Sequence, residues 1–260
     1  MKNLLEQQKQ TIQNNERLLD RHIGNTTSKL RKKYRLLSAL VIEVIESLLN
    51  DIRNQEDSSL SNYINYHRYY SILTDIGREC SKLAKLEKEI LEEEMVELYM
   101  LFYALEPLAG EGDLEKAHEA VDGVWVSDGK HWQERVNEHS AKLYSRLDQI
   151  ITDSIVSNIP EEEVVREVKK FFDQAFNEDK TLIDTEYSHI MNKVLEDKYE
   201  QNKIQYARFV CYHTDTTCGE CLQRDGDIFR VGDPLYSIPR HPNCKCCSIP
   251  LTDNNIYRRK

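Results

Sequence analysis

The 260-residue sequence predicts a mainly α protein, a long-helix body followed by a small C-terminal α+β module. Three observations predict it. From residue 1 to about 200, glycine and proline are scarce and apolar side chains recur at three- and four-residue spacing, the period of a helix with one buried face. Six of the seven cysteines fall between 211 and 247 and four of the six prolines lie beyond 230, so residues 201–260 follow different rules. Charge divides at the same place. Residues 201–260 hold nine Lys/Arg against six Asp/Glu, or +3, which leaves −13 of the net −10 for residues 1–200. The organisation read from this is an N-terminal helical region over 1–120, a helical core over 121–205, a Cys/His-rich module over 206–251 and a basic tail over 252–260.

Taken in order, Leu37, Val41, Val44, Leu48 and Ile52 form one helical stripe. After a polar break at Asn54 to Asn62, Tyr63, Tyr66, Tyr70, Leu73 and Ile76 continue it. Leu83, Leu86, Ile90, Leu98 and Leu101 mark a further helix with Glu92, Glu93 and Glu94 on its polar face. A turn is expected over Pro107 to Gly112. The segment from Gly123 to Trp132 alternates like a strand and then offers an Asp128-Gly129 turn. Trp132, Val136, Leu143, Leu147, Ile150 and Ile151 give the next helix, ending near Ser157-Asn158. Pro160 followed by Glu161, Glu162 and Glu163 is a helix start, because proline suits a first turn and carboxylates there meet the positive end of the helix dipole. Val164, Val168, Phe171 and Phe172 supply its buried face, and Ile183, Tyr187, Ile190 and Val194 that of the last helix. These stripes read as core, and Cys80 as a small apolar residue within it. His118, His131 and His139 lack any metal-ligand spacing and read as surface or capping residues.

Several classes are excluded. No apolar run approaches the ~18 residues of a membrane span, and Met1 to Glu6 lacks the features of a signal peptide, which predicts synthesis in a reducing cytoplasm. An acidic body argues against broad nucleic-acid coating. No Gly-rich phosphate loop, Gly-x-Ser-x-Gly or His-Glu-x-x-His is present, and the expectation is a protein that is not an enzyme.

The tail carries the chemistry. Phe209 to His213 reads as a strand leading to a turn that presents Cys218-Gly219-Glu220-Cys221. Asp225-Gly226 turns a hairpin, and His241-Pro242-Asn243-Cys244-Lys245-Cys246 returns a second ligand cluster. Two short clusters joined by a hairpin make a zinc-knuckle-like site, in which Zn2+ takes four Cys or His ligands. Five candidates compete for four positions: Cys218, Cys221, His241 and Cys244 are favoured, with Cys246 as a substitute for either of the last two. Cys211 and Cys247 read as packing residues. Disulfides are disfavoured by a cytoplasmic start, a redox Cys-x-x-Cys by the want of a βαβ pattern, and a catalytic zinc by the want of an arranged Glu base, Glu220 standing in no His-x-Glu motif. The zinc is therefore expected to be structural, since so few apolar side chains cannot bury much core.

On these residues the tail resembles the phage head morphogenesis family of minor head (minor capsid) proteins, to which protein F of phage Mu belongs. Its members carry a Cys-x-x-Cys, an Asp-Gly turn and a His-Pro-x-Cys-Arg-Cys in this order. Two upstream segments are similar as well: Trp125 to Arg135, and Leu182-Ile183-Asp184-Thr185-Glu186, where members often have Arg-Thr-Glu. Lys245 and Asp184 stand where the family has Arg. The resemblance covers about 120 to 250 and implies a low-copy structural component of the virion. Made in the host bacterial cytoplasm, it would lie inside the capsid at the portal vertex and aid head assembly or genome packaging and delivery. The implied partners are the portal protein and the major capsid or scaffold protein, without a membrane. Arg224, Arg230, Arg240, Lys245 and the terminal Arg258-Arg259-Lys260 are candidates for weak DNA contact. Two alternatives belong to other classes: a zinc-knuckle adaptor for nucleic acid or protein, and a toxin-related, ADP-ribosyltransferase-like relative of the family.

Overall fold

The computed structural model describes residues 2–53, 59–106, 108–157, 159–211 and 217–251, with side chains outside the description at 2–12, 53 and 59–66. The readings placed on Tyr63, Tyr66, Pro107, Asn158, Tyr212, His213 and the tail 252–260 lie outside the described residues, as does most of the break at 54–62.

The chain is mainly helical. Helices α1 (Lys2–Arg53), α2 (Ser59–Leu105), α3 (Leu114–Asp122), α4 (Trp132–Val156) and α5 (Glu161–Gln201) precede a small module of β1 (Tyr206–Val210), α6 (Gly219–Arg224), β2 (Ile228–Arg230) and β3 (Cys247–Pro250). Several expected helices prove to be single long ones. The stripes over 70–76 and 83–101 both lie on α2, and those over 164–172 and 183–194 both on α5. Nothing between the paired stripes carries a proline, so hydrogen bonding runs on through the polar residues. The interior glycines, Gly24 in α1 and Gly77 in α2, weaken a helix without ending it. No helix among the described residues is long and apolar enough to cross a membrane.

The residues group into two compact units, each assembled from separate stretches because α1, α2 and α5 each lend residues to both. One unit comprises 27–90 and 126–180. Its core holds Leu30, Val41, Ile45, Leu48, Ile76, Cys80, Val136, Leu147, Ile151, Val168 and Phe172, all buried. Asp179 is fully buried there, accepts a hydrogen bond from the Tyr34 hydroxyl and lies 2.5 Å from His139 Nδ1. Tyr70, expected on the buried stripe, is 49% exposed: its ring stands edge-on to Tyr69, whose hydroxyl is bound to Asp148 and Thr152. His131 caps α4, its Nδ1 accepting the Gln133 amide, and His118 is exposed.

The other unit comprises 1–26, 91–125 and 181–260. Leu98, Tyr99, Phe102, Val121, Ile183, Tyr187, Ile190 and Val194 are buried in it. Glu94, expected on the polar face of α2, is also buried, 3.6 Å from His22. The loop after α2 is clamped by the end of α5: Lys198 Nζ donates to the Leu108 carbonyl at 2.8 Å over the Tyr103 ring, and Asn202 donates to the Ala109 carbonyl at 2.8 Å. Helix α3, which hydrophobic spacing did not announce, starts at Asp113, whose carboxylate accepts the Glu115 amide, and buries only Ala117, Ala120 and Val121. The segment expected as a strand after Gly123 pairs with no sheet. It is a loop held by its tryptophan: Trp125 Nε1 donates to Glu186 at 2.9 Å and the indole stacks on His189 at 4.4 Å. The Asp-Gly turn within that loop is present, closed by Gly129 N–H on the Val126 carbonyl.

Candidate metal centre

The module is a three-stranded antiparallel sheet in the order β2-β1-β3, with Arg208 opposite both Ile228 and Ile249 and Val210 opposite Cys247. The first strand ends earlier than the sequence suggested. At Cys211 the chain leaves the sheet, because its amide is taken by the Asp225 carboxylate at 2.9 Å. Asp225-Gly226 is not the tip of a tight hairpin; it is the turn from α6 into β2, with Gly226 at φ +84° and its amide on the Phe209 carbonyl.

Cys-x-x-Cys forms the start of α6. Cys218 is the N-cap, its sulfur accepting the Cys221 amide at 3.3 Å, and that hydrogen bond holds the Cys218 thiol below its ordinary range. A helix N-terminus is one half of a redox setting, but the parallel βαβ that supplies the other half is not here: every pairing in the sheet is antiparallel. The second cluster is a turn closed by the Cys244 amide on the His241 carbonyl, with Asn243 in the left-handed region at φ 59°, which asparagine tolerates better than most residues.

These two turns bring all five candidate ligands together. Cys218, Cys221 and His241 form one triad of mutually close donor atoms, and Cys221, Cys244 and Cys246 form another. His241 Nε2 lies 3.2 Å from Cys218 Sγ and 3.4 Å from Cys221 Sγ, and Cys221 Sγ lies 4.0 Å from Cys244 Sγ. A tetrahedral site with metal–sulfur bonds near ~2.3 Å has sulfur–sulfur edges of about 3.8 Å, so these separations fit one ion's ligand shell. The imidazole is set for the role: its Nδ1 lies 2.8 Å from the Pro242 carbonyl, and donating there leaves the Nε2 lone pair facing the two sulfurs. Crowding polarises the thiols as well. The hydrogen bond from Cys246 draws the Cys244 thiol below its ordinary range, whereas burial and then the Cys244 charge push the Cys221 thiol above it. The cluster can hold a metal ion, with Cys221 common to both triads and Cys244 and Cys246 side by side as alternatives. Cys211 and Cys247 are buried and join neither triad.

Glu220 has no free role as a base. It is exposed, and Arg240 Nη2 donates to it at 2.5 Å, which holds its carboxyl below the usual range. Of the cations named for DNA contact, Arg240 is thus paired, Arg224 stands over the Tyr236 ring and Lys245 reaches Asp20 at 2.7 Å.

Sequence spacing missed the residues of α5 that seat the cluster. Thr185 Oγ1 accepts the Asn243 amide at 3.0 Å, Asn192 Nδ2 donates to the Cys246 carbonyl at 3.0 Å, and the Tyr199 hydroxyl donates to the Ser248 carbonyl at 2.9 Å. The three positions step by seven, two helical turns each, so they share a face. No protein-family model, curated protein or solved structure matches the chain.

Proposed function

We propose that the chain is a phage minor head protein: a non-catalytic, low-copy virion component at the portal vertex inside the capsid, made in the host cytoplasm, whose C-terminal module is folded by a structural zinc ion. One observation carries the reading. The three segments on which the resemblance rests lie far apart in sequence yet meet around α5: Trp125 bonds Glu186, and its neighbour Thr185 bonds Asn243 within the His-Pro-Asn-Cys turn. Chance likeness in three short stretches gives no reason for them to meet.

Zinc is the ion that a donor set of thiolates and one imidazole favours. Its ligands would be Cys218, Cys221, His241 and Cys244, with Cys246 as the substitute for either of the last two. Bound there, it supplies the folding free energy that a small apolar core cannot. Half of the module's buried cluster is the ligand candidates Cys221, Cys244 and Cys246, and the rest is Phe209, Cys211 and Ile238. Asp184, where the family has Arg, is 7% exposed, so it helps to build α5's packed face and offers no partner a cation.

The test is co-expression with the portal and major capsid proteins of the same genetic element, followed by size-exclusion chromatography with metal analysis. Co-migration with portal is the expected result. A folded, zinc-loaded chain that separates from both would bring the adaptor and toxin-related readings forward. A steep salt dependence of DNA binding would then favour the adaptor, and NAD-dependent automodification the toxin.

A further inference from the structure

We infer that the side of α1 carrying Leu36 and Leu40 docks on the same side of a second copy of this chain, the two helices running antiparallel about a two-fold axis level with Ser38. Within the unit that holds residues 27–90, α1 and α2 leave a groove of about 220 Å³ between them. Leu37 and Leu83 are its buried floor, and Leu36, Leu40 and Leu86 line it further out. Leu36 is 67% exposed and Leu40 45%. Lone apolar side chains on a surface are ordinary, but leucines at i and i+4 form a ridge, and here the ridge stands beside an apolar furrow. The furrow is smaller than the ~300–1,000 Å³ of small-molecule pockets. A ridge of the same kind from another helix fits it.

Charge identifies the occupant. Lys32, Lys33, Leu36, Leu40 and Glu43 recur at helical spacing along one side of α1, so in chain order that side reads cations, two leucines, anion. Lys32, Lys33 and Glu43 are exposed, and among the described residues none of the three forms an ion pair. The other charges on the groove, Glu79 and Lys82, bind each other at 2.7 Å. Read backwards with the signs exchanged, the order is unchanged, which is what a two-fold interface asks of a single surface. With the axis level with Ser38, Leu36 stands opposite the partner's Leu40, and Lys32 and Lys33 lie level with the partner's Glu43. Each contact then occurs twice. A parallel pairing would set lysine against lysine, and a polyanion would be drawn to the lysines but repelled by Glu43. A second copy satisfies both ends, and with α2 behind each α1 the product is an antiparallel four-helix arrangement.

The test is sedimentation velocity on the full-length, metal-loaded chain from about 1 to 300 µM. One chain should become two over that range, with a dissociation constant of about 1–100 µM, as suits a face only ~16 Å long. Two variants change exposed side chains alone: Lys32→Glu with Lys33→Glu, and Glu43→Lys. Each should weaken self-association at least about tenfold, because like charges then face each other at both ends. Mixed in equal amounts, the two variants should pair with each other as tightly as the parent does, which also shows that both are folded. The proposal is overturned by a chain that stays single up to about 300 µM, which would leave the groove to a different protein. It is overturned equally by self-association that ignores the charge reversals, or by a mixture that fails to pair.

Discussion

At the scale of single residues, the Cys/His cluster and a buried carboxylate make opposite kinds of prediction. Cys218 caps α6 and touches His241, so Cys218→Ser removes a candidate ligand and a positioned sulfur together. The purified variant should fall from one zinc per chain to a small fraction of that, because losing even an outer-shell partner costs roughly 10–100-fold in affinity. Metal analysis after dialysis reads the result, and full retention of zinc would remove Cys218 from the site. The same assay on Cys244→Ser and Cys246→Ser identifies the fourth ligand as the one whose loss empties the site. Glu87 stands in the other unit, 2% exposed. Burial first, then the charge and hydrogen bond of Asp179, raise its carboxyl well above the ordinary value. A carboxyl that binds its proton more tightly when folded opposes folding as pH rises from its unfolded pKa through its folded one. Stability should therefore decline between about pH 4.5 and neutrality and beyond. Glu87→Gln keeps the shape without the charge and should flatten that decline, gaining about 1–3 kcal/mol at pH 8. Urea melts at pH 5.5 and 8.5 would show it; identical pH slopes for the two proteins would sink the idea. The gathering of Cys218, Cys221, His241, Cys244 and Cys246 was legible because residue types and spacings of that kind are the ones metal chemistry asks for. Glu87 was not, since a glutamate at a helical position looks alike whether it faces water or a neighbouring carboxylate.

At the scale of elements, what the sequence made legible was the apolar face of α4 and of stretches of α1, α2 and α5, and what it concealed was length. Trp132, Val136, Leu143, Leu147, Ile150 and Ile151 are all buried on α4, as their spacing implied. The stripes over 70–76 and 83–101 read as separate helices, yet a helix ends only where the backbone is capped or barred, and α2 runs through both. Conversely, Gly123 to Trp132 alternates like a strand but has no partner edge, and the hydrogen bond and stacking of Trp125 define it instead. The glycines inside the long helices give a direct test of this view. At Gly24 an added methyl group meets nothing within 4 Å, whereas at Gly77 it comes within 3.1 Å of the Tyr144 ring. Gly24→Ala should stabilise the chain by about 0.5–1 kcal/mol through reduced backbone freedom. Gly77→Ala should gain less or lose, because the ring has to shift. Equal gains in thermal melts would mean that Tyr144 moves freely and that the contact constrains nothing.

At the scale of the whole molecule, most of the helical mass lies in α1 to α5, while the candidate metal ligands lie in a module of three short strands and one six-residue helix. The two are joined by polar bonds from Thr185, Asn192 and Tyr199 to the module backbone, which act only where the ligand turns hold Asn243, Cys246 and Ser248 in place. Stripping the metal should thus divide the response of the chain. Far-UV circular dichroism, dominated by the long helices, should change little after treatment with a strong chelator at neutral pH. The module should open, since apolar burial beyond the ligands is slight and a site that is formed by folding lends its binding energy to folding. Limited trypsin digestion reads the opening directly. Arg224, Arg240 and Lys245 are held by Glu220 and Asp20 in the folded module, and cleavage at them should speed up at least about tenfold on chelation and slow again when zinc is restored. A module that stays resistant without metal would show that α5 alone holds it. A collapse of the far-UV signal together with the module would show instead that the ion stabilises the helices as well, and that the chain unfolds as one cooperative body.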